Sequence, residues 1–568
     1  MLDRYKYSGS FGSSLVIGCI FFLILGYGVI CNADQSSLLP TDDQKILQDG
    51  ERIYRFGILP SGENVSATAE ADIELNGSQA ACANCHRRSG MGTNEGQLVI
   101  PPVTRDFLFK AKTLGRKDQF AYKTTGAGTR PAYSDLSLKQ AISKGIDPTS
   151  RPFKPMMPRF NFSSGEMEAL IAYLKTLQSS GAPGVDETTM HFATIVTDRV
   201  NSDKKKAMLD VLNTFFKEKN AGTRSETRRS KYAPWHRDWK YQSYRKWKLH
   251  VWELKGPAST WIDQIADYYQ RQPVFALISG LAEGPWDPIH FFCEQHQIPC
   301  LFPNTDQPVN SESDYYTFYF SRGVELEADL VIKFLDTQTE RASRKKIVQV
   351  YRPGTKGNTA ALRLRQLLND RKGNTVVDFR LENATPLNGE FWQSMYRQNN
   401  QADWVLWLES KDLAHLDQFS HPQNGSSRIF LSSTLAPDWN TRIPQPLIKY
   451  VYAVHPYEKS SAMRMHLIRS NSWLATRKIA TDKVKIQANA YFALRSTGRA
   501  IMHLRDKFSR DYFIELIEHT AEKLFVSSVY PRLTLAPGQR YASKGGYILQ
   551  VTTENQNVPV PVSKWLIP

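Results

Sequence analysis

Very little in this sequence can hold a metal in the ordinary ways. Cys82 and Cys85 form its single C-x-x-C, and no H-x-x-x-H pair occurs anywhere. A buried Cys pair or half a zinc site is the plain reading of that pair, but a structural zinc site needs four ligands and no second ligand motif supplies the other two. Residues 190–568 contain no G-x-G-x-x-G and no local cluster of metal-ligating residues. The basis for a dinucleotide-dependent or metal-dependent enzyme is therefore missing from two thirds of the chain. Acidic residues are in deficit, 56 against 72 basic ones, which leaves a net charge of +16 and a pI near 9.3. Such a surface favours an acidic redox protein, an anionic membrane or nucleic acid as partner. Long apolar runs are scarce too, with one such stretch, at residues 11–30. At 568 residues the chain is too long for one core, so several domains are expected.

The stretch Cys82-Ala83-Asn84-Cys85-His86 reads C-x-x-C-H. This is the pattern for covalent attachment of c-type haem. Thiols three positions apart lie on one side of a helical turn, where each can form a thioether to a haem vinyl group. The adjacent His86 imidazole is then aimed at the iron. One covalent haem c is expected. Thioether formation takes place outside the cytoplasm, so nucleic acid is not an expected partner. The N-terminus agrees on compartment. Arg4 and Lys6 precede the apolar run, and Cys31-Asn32-Ala33 offers small residues for cleavage before Asp34. Residues 1–33 are either a cleaved signal peptide or an uncleaved membrane anchor. Both readings export the remainder to the periplasm. Of six cysteines, Cys19 and Cys31 fall in this targeting segment and two hold haem, which leaves Cys293 and Cys300. In an oxidising compartment a disulfide between them is the default. His296 between them raises a metal alternative, with no fourth ligand nearby.

Residues 36–178 read as the first domain. Asp42 or Asp43 can cap a helix through Ile46, Leu47, Ile53 and Tyr54, and Gly50 leaves room for a second helix to approach. A Gly- and Pro-rich loop follows the C-x-x-C-H motif. Ser137 to Ile142 form a short helix stopped at Gly145 and followed by Pro148. A last helix carries Met167, Leu170, Ile171, Leu174 and Leu177 at helical spacing, capped by Ser163 or Ser164 with Glu166 behind. This order resembles the class I cytochrome c family. The matching pieces are Gly50 to Tyr54, Cys82 to His86, Met157-Pro158 and the run Ala169 to Lys175. The resemblance implies Met157 as the sixth iron ligand, with Met156 and Met91 as rivals. A thioether ligand stabilises ferrous iron and raises the potential.

Residues 179–189, rich in Ser, Gly and Pro, read as a linker. From 190 onward short apolar strands alternate with amphipathic helices, in two runs. That rhythm means two doubly wound lobes with parallel sheets. The order and spacing of Phe275 to Gly280, Gln297 to Pro303 and Lys345 to Tyr351 resemble the type I periplasmic binding proteins, in the leucine/isoleucine/valine receptor branch. The resemblance implies ligand contacts from the loops holding Ser279, Thr305 and Lys356. In amino-acid receptors the first loop offers a hydroxyl to the ligand carboxylate, and here it is misplaced. A Tyr expected before Gly357 is absent, and Lys356 in its place suits an anionic ligand.

The fold class expected is thus multidomain: an all-α cytochrome c domain, then a two-lobed α/β binding-protein domain at 190–568. Arg224 to His250, where basic residues interleave with Trp235, Trp239, Tyr241 and Trp247, reads either as a solvated insertion or as a docking surface for an acidic partner or membrane. The function expected is an electron carrier rather than a catalyst, with recognition by the lobed domain. A periplasmic small-molecule sensor is the alternative, and an oxidoreductase acting on a cleft-bound substrate is a third reading.

Overall fold

The computed structural model describes residues 42–95, 98–114, 128–154, 156–232, 245–309, 314–338, 346–371, 375–382, 387–413, 416, 427–504, 506–521, 527–551 and 558–568. The targeting segment, Gly96, Pro155 and residues 233–244 of the basic–aromatic stretch lie outside them. Two compact units form, Met1–Lys45 and Ile46–Pro568. Of the first, the described part is the opening turn of the helix Asp42–Phe56, with Asp42 and Asp43 at its N-terminus. No helix among the described residues is long and apolar enough to cross a membrane.

The first domain is built on helices whose apolar stripes meet. Ile53 and Tyr54 pack against Leu170, Tyr173 and Leu174 of the helix Ser164–Thr176. The Tyr54 and Tyr173 rings lie 5.4 Å apart. Full burial of such side chains contributes about 1.5–3 kcal/mol each. Gly50 makes the close approach possible, because a Cβ there would overlap the Ala169 carbonyl. The later helix begins with a reciprocal cap, Ser163 taking the Glu166 amide while Glu166 takes the Ser163 amide. A second helix, Asp135–Lys144, is capped in the same way by Ser134 and ends on the left-handed Gly145. The all-α expectation needs correction. Strands Ser66–Thr68, Glu74–Asn76 and Arg159–Phe160 form a small antiparallel sheet, and two short hairpins are added, Thr93–Glu95 with Leu98–Ile100 and Lys112–Leu114 with Gly128–Arg130. These pieces are two or three residues long, too short to show an alternating pattern in sequence.

The remainder forms two α/β lobes. In the first, five strands are parallel, in spatial order Thr317–Phe318, Cys300–Leu301, Ala276–Ile278, Thr189–Thr197 and Lys246–Leu254. Ala193 faces His250 in register and Leu277 faces Cys300. The second lobe has seven strands, ordered Thr375–Arg380, Lys346–Tyr351, Asp403–Trp407, Ile429–Ser432, Val451–His455, Tyr547–Val551 and Pro559–Pro561. The first five are parallel as expected, Tyr547–Val551 runs antiparallel to them, and Pro559–Pro561 pairs antiparallel with Tyr547–Val551. Central strands are apolar on both faces because helices cover both. The chain crosses between lobes near Gly323, near Tyr457 and near Gly546. After the second crossing the helices Ser460–Thr476, Val484–Leu504 and Arg510–Ala521 return to the first lobe, where Phe492 and Phe513 enter the core of Phe192 and Phe275. Sequence distance conceals that return.

Candidate haem-attachment site and interlobe cleft

Cys82 stands at the N-cap of the single helical turn Ala83–His86, with Cys85 inside it. Both thiols are free in this structure. Burial pushes the Cys82 thiol up to about 12 and raises Cys85 as well. The His86 amide bonds back to the Cys82 carbonyl at 2.9 Å, which closes the turn.

The His86 ring settles the tautomer question by geometry. Its Nδ1 lies 2.9 Å from the Pro101 carbonyl oxygen, which can only accept. Nδ1 therefore carries the proton, and Nε2 carries the lone pair a metal requires. Burial lowers the His86 pKa, against the Pro101 bond, and so favours the neutral ring. Gly92 allows this arrangement: its φ is +69°, and a Cβ there would overlap the Ile100 and Pro101 carbonyls. The residues present thus fit a haem held by Cys82, Cys85 and His86.

The three methionines occupy different settings. Met91 is sealed in the core, Met156 is 55% exposed, and Met157 is half-buried just before the strand Arg159–Phe160. The Arg159 guanidinium donates to the Met157 carbonyl and so orders its loop.

The turn after the motif is clamped to the first lobe. The Arg88 guanidinium lies 3.9 Å from the Tyr315 ring centroid and 3.5 Å from the Asp511 carboxylate. Tyr316 donates to Asp511 at 2.5 Å. Arg55 adds a second cation 3.7 Å from Asp511. Ser89 binds Glu515 with both its amide and its hydroxyl, at 2.8 and 2.6 Å. Tyr54 donates to the Arg87 carbonyl at 2.7 Å from the other side. None of Asp511, Glu515, Tyr315 or Tyr316 stood out in the sequence, since nothing local marks a docking face.

The expected ligand loops have separate fates. Ser279 is buried with φ +58°, and its hydroxyl accepts from the Asn304 amide at 3.0 Å. The Thr305 hydroxyl accepts from the Gln307 amide at 3.1 Å. Lys356 opens the helix Lys356–Asn369 of the second lobe and reaches Asp306 of the first at 2.8 Å. Lys485 binds the other Asp306 oxygen at 2.9 Å and the Tyr457 hydroxyl at 2.8 Å. Gln307 reaches Thr359 across the same cleft at 2.7 Å. Burial alone would raise Asp306, but Lys485 and Lys356 hold it well below the usual carboxylate range. Burial would lower Lys356, and Asp306 overrides it to keep the ammonium charged. Sequence reasoning missed Asp306, Tyr457 and Lys485. Asp306 could have been caught beside Thr305, whereas Lys485 carries no signal.

Cys293 and Cys300 are fully buried, and their thiols hydrogen-bond to each other. Burial, then that bond, pushes the Cys293 thiol well up. No group of three or more His, Cys, Asp or Glu side chains that could hold a metal ion is found among the described residues.

The family model for cytochrome c matches residues 77–178. A comparison with curated protein sequences finds no match. Several solved structures are similar. A branched chain amino acid ABC transporter protein from Thermus thermophilus with bound valine aligns at TM-score 0.48 and 10% identity, covering 67% of this chain and 97% of that one. A fatty acid ABC transporter substrate-binding protein from Thermomonospora curvata aligns at TM-score 0.45 and 14% identity, covering 68% and 94%. A leucine binding protein from Thermotoga maritima aligns at TM-score 0.45 and 10% identity, covering 67% and 99%. The chain thus carries a cytochrome c domain at residues 77–178, joined to a two-lobed α/β domain whose structural matches are substrate-binding proteins of ABC transporters.

Proposed function

We propose that the chain is an exported, mono-haem c-type cytochrome that carries electrons, and that its two-lobed domain recognises a small molecule or a redox partner. The observation that carries this reading is the His86 ring, held by Pro101 with Nε2 left as the lone-pair nitrogen, on a turn that also presents two thiols. Bound haem would supply a one-electron iron couple. The protein's own part is to fix the ring, to set the iron's surroundings, and to hold the attachment turn against the first lobe through Arg88 and Ser89. Met157 would complete the iron's coordination. The surplus of basic residues supports an acidic redox partner, and residues 11–30 would add membrane contact if uncleaved. The compartment would be the periplasm.

The test is covalent haem content and spectrum. Denatured wild-type protein should keep its haem, and the Cys82→Ala/Cys85→Ala double variant should release it. The reduced protein should be low-spin and refuse carbon monoxide. Haem that washes out of the denatured wild type would end this reading. A second reading, ligand capture with the haem as redox reporter, is favoured by the charged cleft around Asp306. It predicts a melting temperature that rises with a small molecule.

A further inference from the structure

The helix Ser460–Thr476, which follows the second crossing, presents two unlike faces. Leu467, Ser470 and Leu474 are buried, and Met463 and Trp473 pack beside them against the core of the first lobe. The opposite face is open. Met465 is 72% exposed there and Ile468 51%. A single apolar side chain on a surface is ordinary. These two lie one helical turn apart. The helical period sets the exposed Arg464 on one side of them and the exposed Arg469 on the other. The outward face is thus an apolar ridge with a cation on each flank.

The charge around this ridge has one sign. From Lys459 to Thr481 the chain holds five Lys or Arg and no Asp or Glu. The carboxylates that meet the stretch are engaged elsewhere on it. Glu458 is buried at 5% exposure and lies 3.1 Å from His466. Glu218 accepts from the Trp473 indole at 3.1 Å and from Arg477 at 2.6 Å, both toward the lobe. Asp482, just past the stretch, lies 3.9 Å from Lys483. No acid of the helix itself offsets the field in front of Met465 and Ile468, so an anionic surface is the complement.

Size narrows the occupant. A stable protein interface takes about 800 Å² from each partner, over roughly 20–30 residues. Two large apolar side chains on one helix face fall well short of that. A lipid surface asks for less. It needs apolar side chains long enough to reach the boundary between headgroups and acyl chains, and basic side chains beside them for the phosphates. Met465, Ile468, Arg464 and Arg469 supply both on a straight helix of 17 residues, which can lie flat.

We propose that the outward face of the helix Ser460–Thr476 docks on an anionic phospholipid membrane, Met465 and Ile468 entering the headgroup layer while Arg464 and Arg469 hold lipid phosphates. The contact is peripheral and reversible. It is separate from residues 1–33, and it holds whether or not the haem carries electrons to a partner.

The experiment places an environment-sensitive fluorophore on the helix of the haem-loaded full chain, through Ile468→Cys with Cys19→Ser and Cys31→Ser. Cys293 and Cys300 are fully buried and stay unlabelled. The readout is local, so an N-terminal anchor does not mask it. Vesicles containing phosphatidylglycerol should shift the emission to the blue, and vesicles of phosphatidylcholine alone should not. High sodium chloride should reverse the shift, since salt screens exposed charges. Arg464→Gln should weaken binding about fivefold, and Met465→Ser about tenfold. Both side chains are exposed, so the melting temperature and haem spectrum of these variants should match the parent and show that the fold is kept. No shift, or an equal shift with both kinds of vesicle, overturns the proposal. So does undiminished binding by both variants. A shift with an acidic flavodoxin and none with lipid also overturns it, and assigns the face to a protein.

Discussion

Ser89 and Glu515, 426 positions apart in sequence, are joined by two hydrogen bonds, from the Ser89 amide at 2.8 Å and from its hydroxyl at 2.6 Å. Ser89 lies three residues beyond His86, and Glu515 lies on the helix Arg510–Ala521 of the first lobe. The C-x-x-C-H turn and the lobed domain are therefore held in one arrangement by a contact at the turn itself. Such a contact fixes the geometry from which electrons would leave.

Burial pushes Glu515 up to about 8, against the Ser89 bonds, and it does the same to Glu327. A carboxyl whose folded pKa is raised binds its proton more tightly in the native state. Stability is therefore greatest below the unfolded value, near 4.3, and falls as pH rises toward 8. Each group contributes about 1.4 kcal/mol per pH unit in that window. Glu515→Gln should flatten the fall by one proton. Denaturant unfolding at pH 5 and pH 8 checks this, and an unchanged difference between wild type and variant would count against it.

Arg88 is held by Asp511 at 3.5 Å and stacks over Tyr315. Its side chain is partly exposed, so solvent screens part of the interaction. Arg88→Ala should cost about 1–3 kcal/mol. It should also speed proteolysis within residues 179–189 while leaving haem attached. Limited proteolysis with haem staining of the fragments reads both. Unchanged cleavage would show that the clamp does not hold the domains.

Met157 and Met91 should separate by phenotype. Met157→Ala should leave stability nearly unchanged and open the reduced iron to carbon monoxide. Met91→Ala removes a buried side chain and should cost about 2–5 kcal/mol with the spectrum intact. The reverse pattern would transfer the ligand role to Met91. Optical spectra with and without carbon monoxide decide it.

The Cys293 and Cys300 thiols touch inside the first lobe. We expect protein recovered from an oxidising compartment to carry them as a disulfide, two hydrogens lighter by intact mass. Reduction should then lower the melting temperature, since the cross-link constrains the unfolded chain. Full alkylation of both cysteines in denatured, unreduced protein would remove the disulfide.

The sequence alone was enough for the C-x-x-C-H turn, the capped helix at Ser163, and the strand–helix alternation of two lobes. Each of these is written over a few neighbouring positions. Thiols three apart and an imidazole one further share a helical face wherever the turn occurs, and a Ser–Glu pair three apart caps a helix without outside help. Tertiary structure decided what lies between distant segments. Asp306 meets Lys356 from 50 positions away and Lys485 from 179 away, and Glu515 meets Ser89 from further still. No local periodicity records such pairings, because they depend on three crossings between the lobes. Lys356 reads from sequence as a loop residue that suits an anionic ligand, and folding brings the Asp306 carboxylate of the opposite lobe against it.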